Sequence, residues 1–578
     1  MDEKKYVVMG KTKFHTLLCL CLILIIVSAA FYPCLKCGFV NWDDDDYVVN
    51  NTSITSVSFS SLKAIFTSFS VAHYQPLTII SYLVDYQFYK LQPFGYHLTN
   101  LILHLLNCLL VFWFIYLISK NIAVSFLTAL LFGIHPLRVE SVAWVSERKD
   151  VLYSFFYLSS LISYIYYLFK GKNSKFYLLS LFLFLCSLLS KSMAVTLPVI
   201  LLLVDYYLKR KPEKSVLLDK IPYFILALVT SVIVVFGIIL FGVIRSEANY
   251  SFLSILSVAS HGIVFYLGKL FLPLKLSCLY PYYSFQYNFT YLCSIITVIL
   301  LIFIVILSVK YTRKLFFAGA FFLITLLPIL QFIPTNTTIV ADRYTYMSSI
   351  GIFFIISSLI YWLYSIKLKT RLAKFLLVAI AVYVLATLSF LTFNRCKVWK
   401  DGVALWGNVL KNYPNSAEIY NNRRLAYNNL GAAYIAQREN DKAIFAYKKA
   451  IEADPYYAES YNNLGAVLLN KKEYDKALIV FIKALEIDPE YMKAHANLCA
   501  AYGIMGNFKE AIKVCGKAVE LDPFLAQAHY NLSVAYYFNK QYDLAARYLQ
   551  TALKLGWKPD PAYLKVIEPH LKTRFTAF

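Results

Sequence analysis

Asn429-Leu430-Gly431, Asn463-Leu464-Gly465, Asn497-Leu498-Cys499 and Asn531-Leu532-Ser533 stand 34 residues apart. Asp454-Pro455, Asp488-Pro489 and Asp522-Pro523 keep the same interval. A fixed period of this length marks an array of helix pairs, none of which buries its apolar face alone. The invariant positions have mechanical reasons. A small residue at Gly431, Gly465, Cys499 and Ser533 lets the two helices of a pair approach closely. Ala443, Ala477, Ala511 and Ala545 do the same from the second helix. Ala450, Ala484, Ala518 and Ala552 are expected to pack on the next repeat. The proline stops the second helix because it has no N–H to donate.

Thirty-four is the tetratricopeptide (TPR) period, so residues 424–578 read as about four TPR repeats. Upstream, 396–423 reads as a linker and partial repeat. There, Trp399 to Pro414 resembles a lone second helix leading into the array, and Tyr420-Asn421-Asn422, echoed at Tyr427-Asn428-Asn429, resembles a seven-residue insertion. Stacked TPRs form a superhelix whose concave face suits an extended polypeptide or a partner protein. A rigid spacer or a dimer surface is the alternative.

Further upstream the solvent changes. The chain has 578 residues, 59% of them hydrophobic, and a mean hydropathy of +0.57, whereas soluble domains hold roughly 45–50% apolar residues. The excess lies before residue 395, in runs of roughly 17–22 residues, the length a helix needs to cross a bilayer. Residues 1–395 therefore read as a polytopic membrane domain, and the whole chain as all-α. The net charge of +23 does not point to nucleic acid, because much of the Lys and Arg sits in short loops between apolar runs, where it sets orientation. The eleven cysteines show no disulfide or zinc framework. The basic N-terminus and the run from Phe14 to about Tyr32 suit a first membrane helix better than a signal peptide.

Candidate spans lie at 14–33, 97–118, 121–135, 151–169, 175–190, 193–208, 221–243, 253–272, 290–309, 315–333, 349–366 and 372–392. If all cross, Lys310, Arg313, Lys314, Lys367, Lys369, Arg371 and Lys374 fall opposite the earlier basic loops. If 253–272 does not cross, every basic group shares the cytoplasmic side. That segment carries Ser254, Ser257, Ser260, His261 and Lys269, which suits an interfacial or re-entrant helix. Eleven crossings are expected, with the N-terminus inside and the TPR region outside the cytoplasm.

On that topology one face gathers the unusual chemistry. The first external loop carries Asn41-Trp42-Asp43-Asp44-Asp45-Asp46-Tyr47. Adjacent carboxylates repel, and at least one pKa rises. Such a cluster suits a general base or, through Asp43 and Asp44, a divalent cation such as magnesium or manganese. A solvated acidic loop is the bland reading. His135 to Asp150 follows on the same face, and if helical it lines up Glu140, Trp144, Glu147 and Arg148; an interfacial anchor is its bland reading. Lys191 and Asp342-Arg343-Tyr344 complete the set. Cations on the face that the charge rule disfavours suggest a phosphate ligand. His97, Asn100, His104 and Asn107 form a polar stripe inside a span, which faces protein or a cavity.

Phe39 to Asp44, Gln75-Pro76-Leu77-Thr78, His97-Leu98-Thr99-Asn100, His135 to Asp150, Lys191 to Pro198 and Ala341-Asp342-Arg343-Tyr344 occur in an order that resembles one family. It comprises multi-pass membrane proteins with C-terminal TPRs, including the transmembrane-and-TPR O-mannosyltransferases of animals, and the spelling is closer to bacterial and archaeal relatives. The likeness covers nearly the whole chain. It implies the GT-C glycosyltransferase fold, a sugar donor on a polyprenyl phosphate, an acidic catalytic residue in the first external loop, and a protein hydroxyl as acceptor. Carried over by motif, Asp43 and Asp44 match the acidic pair, while Asp45 and Asp46 extend it. The family's Lys-Pro-Met reads Lys191-Ser192-Met193 here. Arg138, Arg148, Lys149, Lys191 and Arg343 are the expected donor-phosphate ligands. His97, His135, Glu140, Asp150, Asp342 and Tyr344 are further active-site candidates. The expected setting is a prokaryotic plasma membrane, or the endoplasmic reticulum membrane in a eukaryote, with membrane lipid as a partner. The alternative is a non-enzymatic scaffold whose TPRs dock envelope or complex-assembly proteins.

Overall fold

The computed structural model describes residues 3–69, 73–211, 213–240, 251–280, 289–330, 332, 340–414 and 420–571. It divides into two units, Met1–Asn412 and Tyr413–Phe578. The first unit holds α1 (Glu3–Phe31), α2 (Phe59–Thr67), α3 (Pro76–Tyr89), α4 (Pro93–Ser119), α5 (Ile122–Ile134), α6 (Val139–Ala143), α7 (Arg148–Phe169), α8 (Ser174–Ser190), α9 (Leu197–Tyr207), α10 (Lys214–Leu218), α11 (Ile221–Leu240), α12 (Phe252–Phe271), α13 (Phe289–Leu307), α14 (Arg313–Leu326), α15 (Thr345–Trp362), α16 (Arg371–Val398) and α17 (Gly402–Asn412).

Among the described residues eight helices are long and apolar enough to cross a bilayer, and the bent pair of α5 with Pro136–Ala143 makes a ninth. The expected spans at 175–190 and 193–208 fold as shorter apolar helices, and α14 is only 14 residues long. Length alone therefore undercounts the path, which the contacts at the helix ends trace. Lys191, after α8, pairs with Glu147 and Asp150 beside the start of α7. Arg313, opening α14, donates to the Tyr206 carbonyl near the end of α9 at 3.0 Å, on the far face. Near the end of α11, a Cβ on Gly237 would stand 2.5 Å from the Phe69 ring of the first loop region. The end of α11 thus lies on the loop face. The polar-rich α12 that follows has a span's length, and its last turn lies on that same face. His135 Nε2 bonds the Leu270 carbonyl at its C-terminal end, at 3.1 Å. The expected eleven crossings therefore stand beside eight to nine helices of spanning length among the described residues. The basic segments after α9 and at the start of α14 meet on the face away from the acidic loop.

The second unit holds α18 (Tyr420–Ala436), α19 (Asn440–Ala453), α20 (Ala458–Asn470), α21 (Tyr474–Ile487), α22 (Met492–Ile504), α23 (Phe508–Leu521), α24 (Ala526–Phe538), α25 (Tyr542–Lys554) and α26 (Pro561–Ile567). The seven-residue echo is two extra turns of α18, so it leaves the helix face unchanged. The small residues do what the period implies: a Cβ at Gly431 or Gly465 would stand 2.6 Å or 2.5 Å from the ring of Tyr447 or Phe481. All eight repeat alanines named above are fully buried. In the third repeat the same two positions are Cys499 and Cys515, joined as a disulfide with Cα atoms 5.4 Å apart. This corrects the expectation that the cysteines form no bridge.

Candidate functional site on the loop face

The acidic loop turns tightly, with the Asp46 and Tyr47 amides donating to the Asp43 carbonyl at 3.1 and 3.0 Å. Its two leading carboxylates have different surroundings. Asp44 is buried, 1% exposed. It accepts the Val40 amide at 3.0 Å, the Ser146 amide at 2.9 Å and the Ser146 hydroxyl. Burial pushes its pKa up to about 7 against those three donors, which favour the ionised form. Asp43 is half-buried. Its pKa is raised first by desolvation; Lys149 and Arg343 oppose the shift, and Glu147 and Asp46 add to it. Asp44 is thus a clamp between the loop and Ser146, while Asp43 remains beside a cluster of cations.

A single continuous helix over His135 to Asp150, the condition for that stripe, does not form. Trp144 is extended (φ −83°, ψ 118°) between α6 and a 3-10 turn at Val145–Glu147. Side chains hold this break open. Asn100 donates to the Val142 and Trp144 carbonyls, both at 3.3 Å, and Tyr82 donates to the Val145 carbonyl at 2.9 Å. The kink puts Glu140 and Glu147 around one guanidinium: Arg343 pairs with Glu140 and, at 3.2 Å, with Glu147. Lys149 reaches Glu147 at 3.1 Å, and Lys191 reaches Asp150 at 2.6 Å and Glu147 at 3.4 Å. Side-chain exposures rank the layers. The three carboxylates are at most 2% exposed, whereas Lys149, Lys191 and Arg343 are 9%, 13% and 12% exposed. Cations form the accessible rim over a carboxylate floor that holds them in position.

Tryptophans wall the site. Trp42 stacks on Trp144 at 4.7 Å and leans on Trp406 at 5.2 Å, and Trp144 stacks on Trp399 at 5.5 Å. Trp406 Nε1 donates to Asn41 Oδ1 at 3.3 Å, and the Gly38 amide donates to the Lys400 carbonyl at 2.8 Å. Helix α17, expected to lead the TPR array, is therefore part of the membrane unit and braces the acidic loop.

Other expected site residues lie in the framework. Arg148 is fully buried. It pairs with Asp85 at 2.5 Å, bonds Asn100 Oδ1 at 2.7 Å and the Tyr96 carbonyl at 3.0 Å, and lies over Tyr82. Arg138 is fully buried over Phe132 and Tyr346 and donates to Thr345 Oγ1 at 2.5 Å. Neither has an exposed edge for a donor phosphate. His135 caps its own 3-10 turn by accepting the Leu137 amide. Asp342 accepts the Tyr280 hydroxyl at 2.5 Å and lies 3.8 Å from Arg395. Tyr344 supports the Arg343 guanidinium at 4.9 Å. The polar stripe on α4 is helix pairing. His104 bonds Tyr346 and the Gly133 carbonyl, Asn107 bonds Tyr346 and the Val151 carbonyl, and His97 is buried.

Two residues join the site that the sequence did not assign to it. Glu147, named only as part of the 135–150 stripe, is the hub of all three rim cations. His73 lies in the field of Lys149, Lys191, Glu147 and Arg343, and its pKa is lowered by desolvation and by the cations. Among the described residues no three His, Cys, Asp or Glu side chains converge as a metal site. Asp44 accepts two Ser146 donors on one oxygen and the Val40 amide on the other.

Tetratricopeptide repeat models match residues 425–457, 458–491 and 501–560. Protein O-mannosyl-transferase F38B6.6 of Caenorhabditis elegans is 23% identical over 76% of the chain and 63% of its own length. Human protein O-mannosyl-transferases TMTC1 and TMTC3 are 33% and 31% identical, each over 25% of the chain and 17% and 16% of their own length. The chain thus aligns with less than two thirds of the worm relative and about a sixth of the human ones. The worm alignment is too long for the second unit alone and extends into the membrane unit. A solved structure, MamA 41-end from Desulfovibrio magneticus RS-1, is 25% identical over 26% of the chain and 81% of its own length, with a TM-score of 0.23. The chain is a multi-pass membrane protein with C-terminal TPR repeats, homologous to the transmembrane-and-TPR protein O-mannosyl-transferases.

Proposed function

We propose that the chain is a glycosyltransferase that moves a mannose-like hexose from a polyprenyl-phosphate donor to a protein hydroxyl on the extracytoplasmic face. The observation that carries this reading is the accessible rim of Lys149, Lys191 and Arg343 beside the Asp43 carboxylate. Asp43 takes the proton of the acceptor hydroxyl. The acceptor oxygen attacks the anomeric carbon from the face opposite the phosphate. The carbon–oxygen bond to phosphate breaks, and the electron pair leaves with the polyprenyl phosphate. The rim cations hold that leaving phosphate, whose negative charge grows in the transition state. The carboxylates beneath keep the cations in place before the charge develops.

Three observations support the side. The basic segments after α9 and at the start of α14 meet on the face away from the acidic loop, as cytoplasmic loops do. The membrane unit ends in α17, which braces the acidic loop, and no candidate span follows it among the described residues. The Cys499–Cys515 disulfide suits an oxidising compartment. On this reading the TPR concave face presents the acceptor polypeptide.

The test is transfer of labelled sugar from polyprenyl-phosphate donors in membranes carrying wild-type protein or Asp43→Asn. Loss of transfer in the variant at equal folded amount supports the reading. Equal transfer removes Asp43 from the chemistry, and no transfer by either favours the scaffold.

A further inference from the structure

On the face opposite the acidic loop, the end of α9 and the start of α14 meet the end of α4 around a cavity of about 460 Å³. Its lining includes Ile118, Tyr207, Lys209, Thr312, Arg313 and Lys314. Each of these lies within two residues of a crossing helix end: α4 stops at Ser119, α9 at Tyr207, and α14 starts at Arg313. The cavity therefore sits at the depth where a bilayer carries its headgroups.

The lining holds three cations and no carboxylate. Among the described residues none of the three forms an ion pair, because the nearby acids are already committed. Asp205 pairs with Lys220 and, at 3.4 Å, with Arg210, and Asp219 pairs with Arg210 at 2.6 Å. Two of the cations are also fixed by the backbone. Arg313 donates to the Tyr206 carbonyl at 3.0 Å and lies 5.0 Å over the Tyr206 ring, which leaves its remaining nitrogens for another acceptor. Lys209 follows α9 in the left-handed region (φ 60°), where its amide bonds the Tyr206 carbonyl at 3.2 Å. A lysine there has the backbone strain of a non-glycine residue. Thr312 caps α14 by accepting the Lys314 amide, so the positive end of that helix adds to the field. Ring contacts hold the two walls together: Tyr206 with Phe316 at 5.1 Å and Tyr207 with Phe317 at 4.9 Å.

We propose that this cavity is a binding site for the phosphate headgroup of an anionic membrane phospholipid. The three cations and the α14 N-terminus take the phosphate, and the apolar Ile118 side takes the start of the acyl region. Basic pockets between membrane helices suit this chemistry, each cation near the surface contributing about fivefold in affinity. The site is separate from the loop face and does not depend on the transferase reading.

The test uses the full chain in phosphatidylcholine vesicles carrying a minor fraction of photoactivatable phosphatidylglycerol, with crosslinks mapped by mass spectrometry. Label is expected on the peptides holding Lys209 and Arg313–Lys314, above that from a photoactivatable phosphatidylcholine. It should fall about fivefold for each cation removed in Lys209→Gln/Lys314→Gln, and stay unchanged in Lys367→Gln/Lys374→Gln, which removes the same charge from the same face. Equal labelling by the two lipids overturns the proposal, as does an equal fall in both variants. Loss of label on adding inorganic phosphate assigns the site to a free phosphate instead.

Discussion

Asp43→Asn and Asp44→Asn differ by one position and should fail in different ways. Asp44 accepts three donors, two from Ser146 on one oxygen and the Val40 amide on the other. An asparagine can keep the Ser146 pair through its single carbonyl oxygen. Its NH2 then meets the Val40 N–H, donor against donor, at a buried position. One unsatisfied buried amide costs about 1–3 kcal/mol, which should open the loop about 5- to 150-fold more often. Hydrogen–deuterium exchange of peptides covering 38–50 should accelerate by that factor in Asp44→Asn. Asp43→Asn removes no clamp, so exchange there should stay at the wild-type rate while sugar transfer falls by about 10²–10⁴, the range for a lost general base. Asp44→Asn should also slow transfer, by moving Asp43. If Asp44→Asn abolishes transfer with unchanged exchange while Asp43→Asn remains active, the roles assigned to the two carboxylates are reversed and the reasoning is refuted.

The remaining predictions concern the charges and the packing. Lys149 lowers the Asp43 pKa. Lys149→Gln should therefore raise it, so that the residual rate is lost at a higher pH as the medium is acidified. A pH–rate profile checks the direction, and a shift toward acid contradicts the Lys149–Asp43 coupling. Asp85→Ala leaves the buried Arg148 charge without its carboxylate and should cost about 3–5 kcal/mol, much of which the double change with Arg148→Met returns. Folded yield by size exclusion reads both. Gly351→Ala puts a methyl group 2.3 Å from the Ala318 carbonyl oxygen between α14 and α15 and should destabilise by about 1–3 kcal/mol. Gly268→Ala, with nothing within 4 Å, should not, as thermal unfolding in detergent would show.

Periodicity and solvent were legible in the sequence alone. The 34-residue interval specified the helix pairs and their small contact residues, because two helices approach closely only where side chains are small. The same interval carried the disulfide unread: Cys499 and Cys515 occupy the positions of Gly431 with Tyr447 and of Gly465 with Phe481. The distribution of Lys and Arg supplied the expected crossing parity from the sequence alone. Which charges an incoming phosphate can reach was a tertiary decision. Arg138, Arg148, Lys149, Lys191 and Arg343 look alike in a sequence. Contacts with distant helices bury the first two, Arg138 against Thr345, Phe132 and Tyr346 and Arg148 against Asp85, Asn100 and Tyr82, and leave the last three on the rim. Asp43 and Asp44 are also indistinguishable by residue type, and Ser146, 102 residues away, engages only one of them. Local pattern reports which residues share a helix face and a solvent. Burial and hydrogen-bond partners come from contacts between distant segments, and those contacts separate the clamped Asp44 from Asp43 beside the cations.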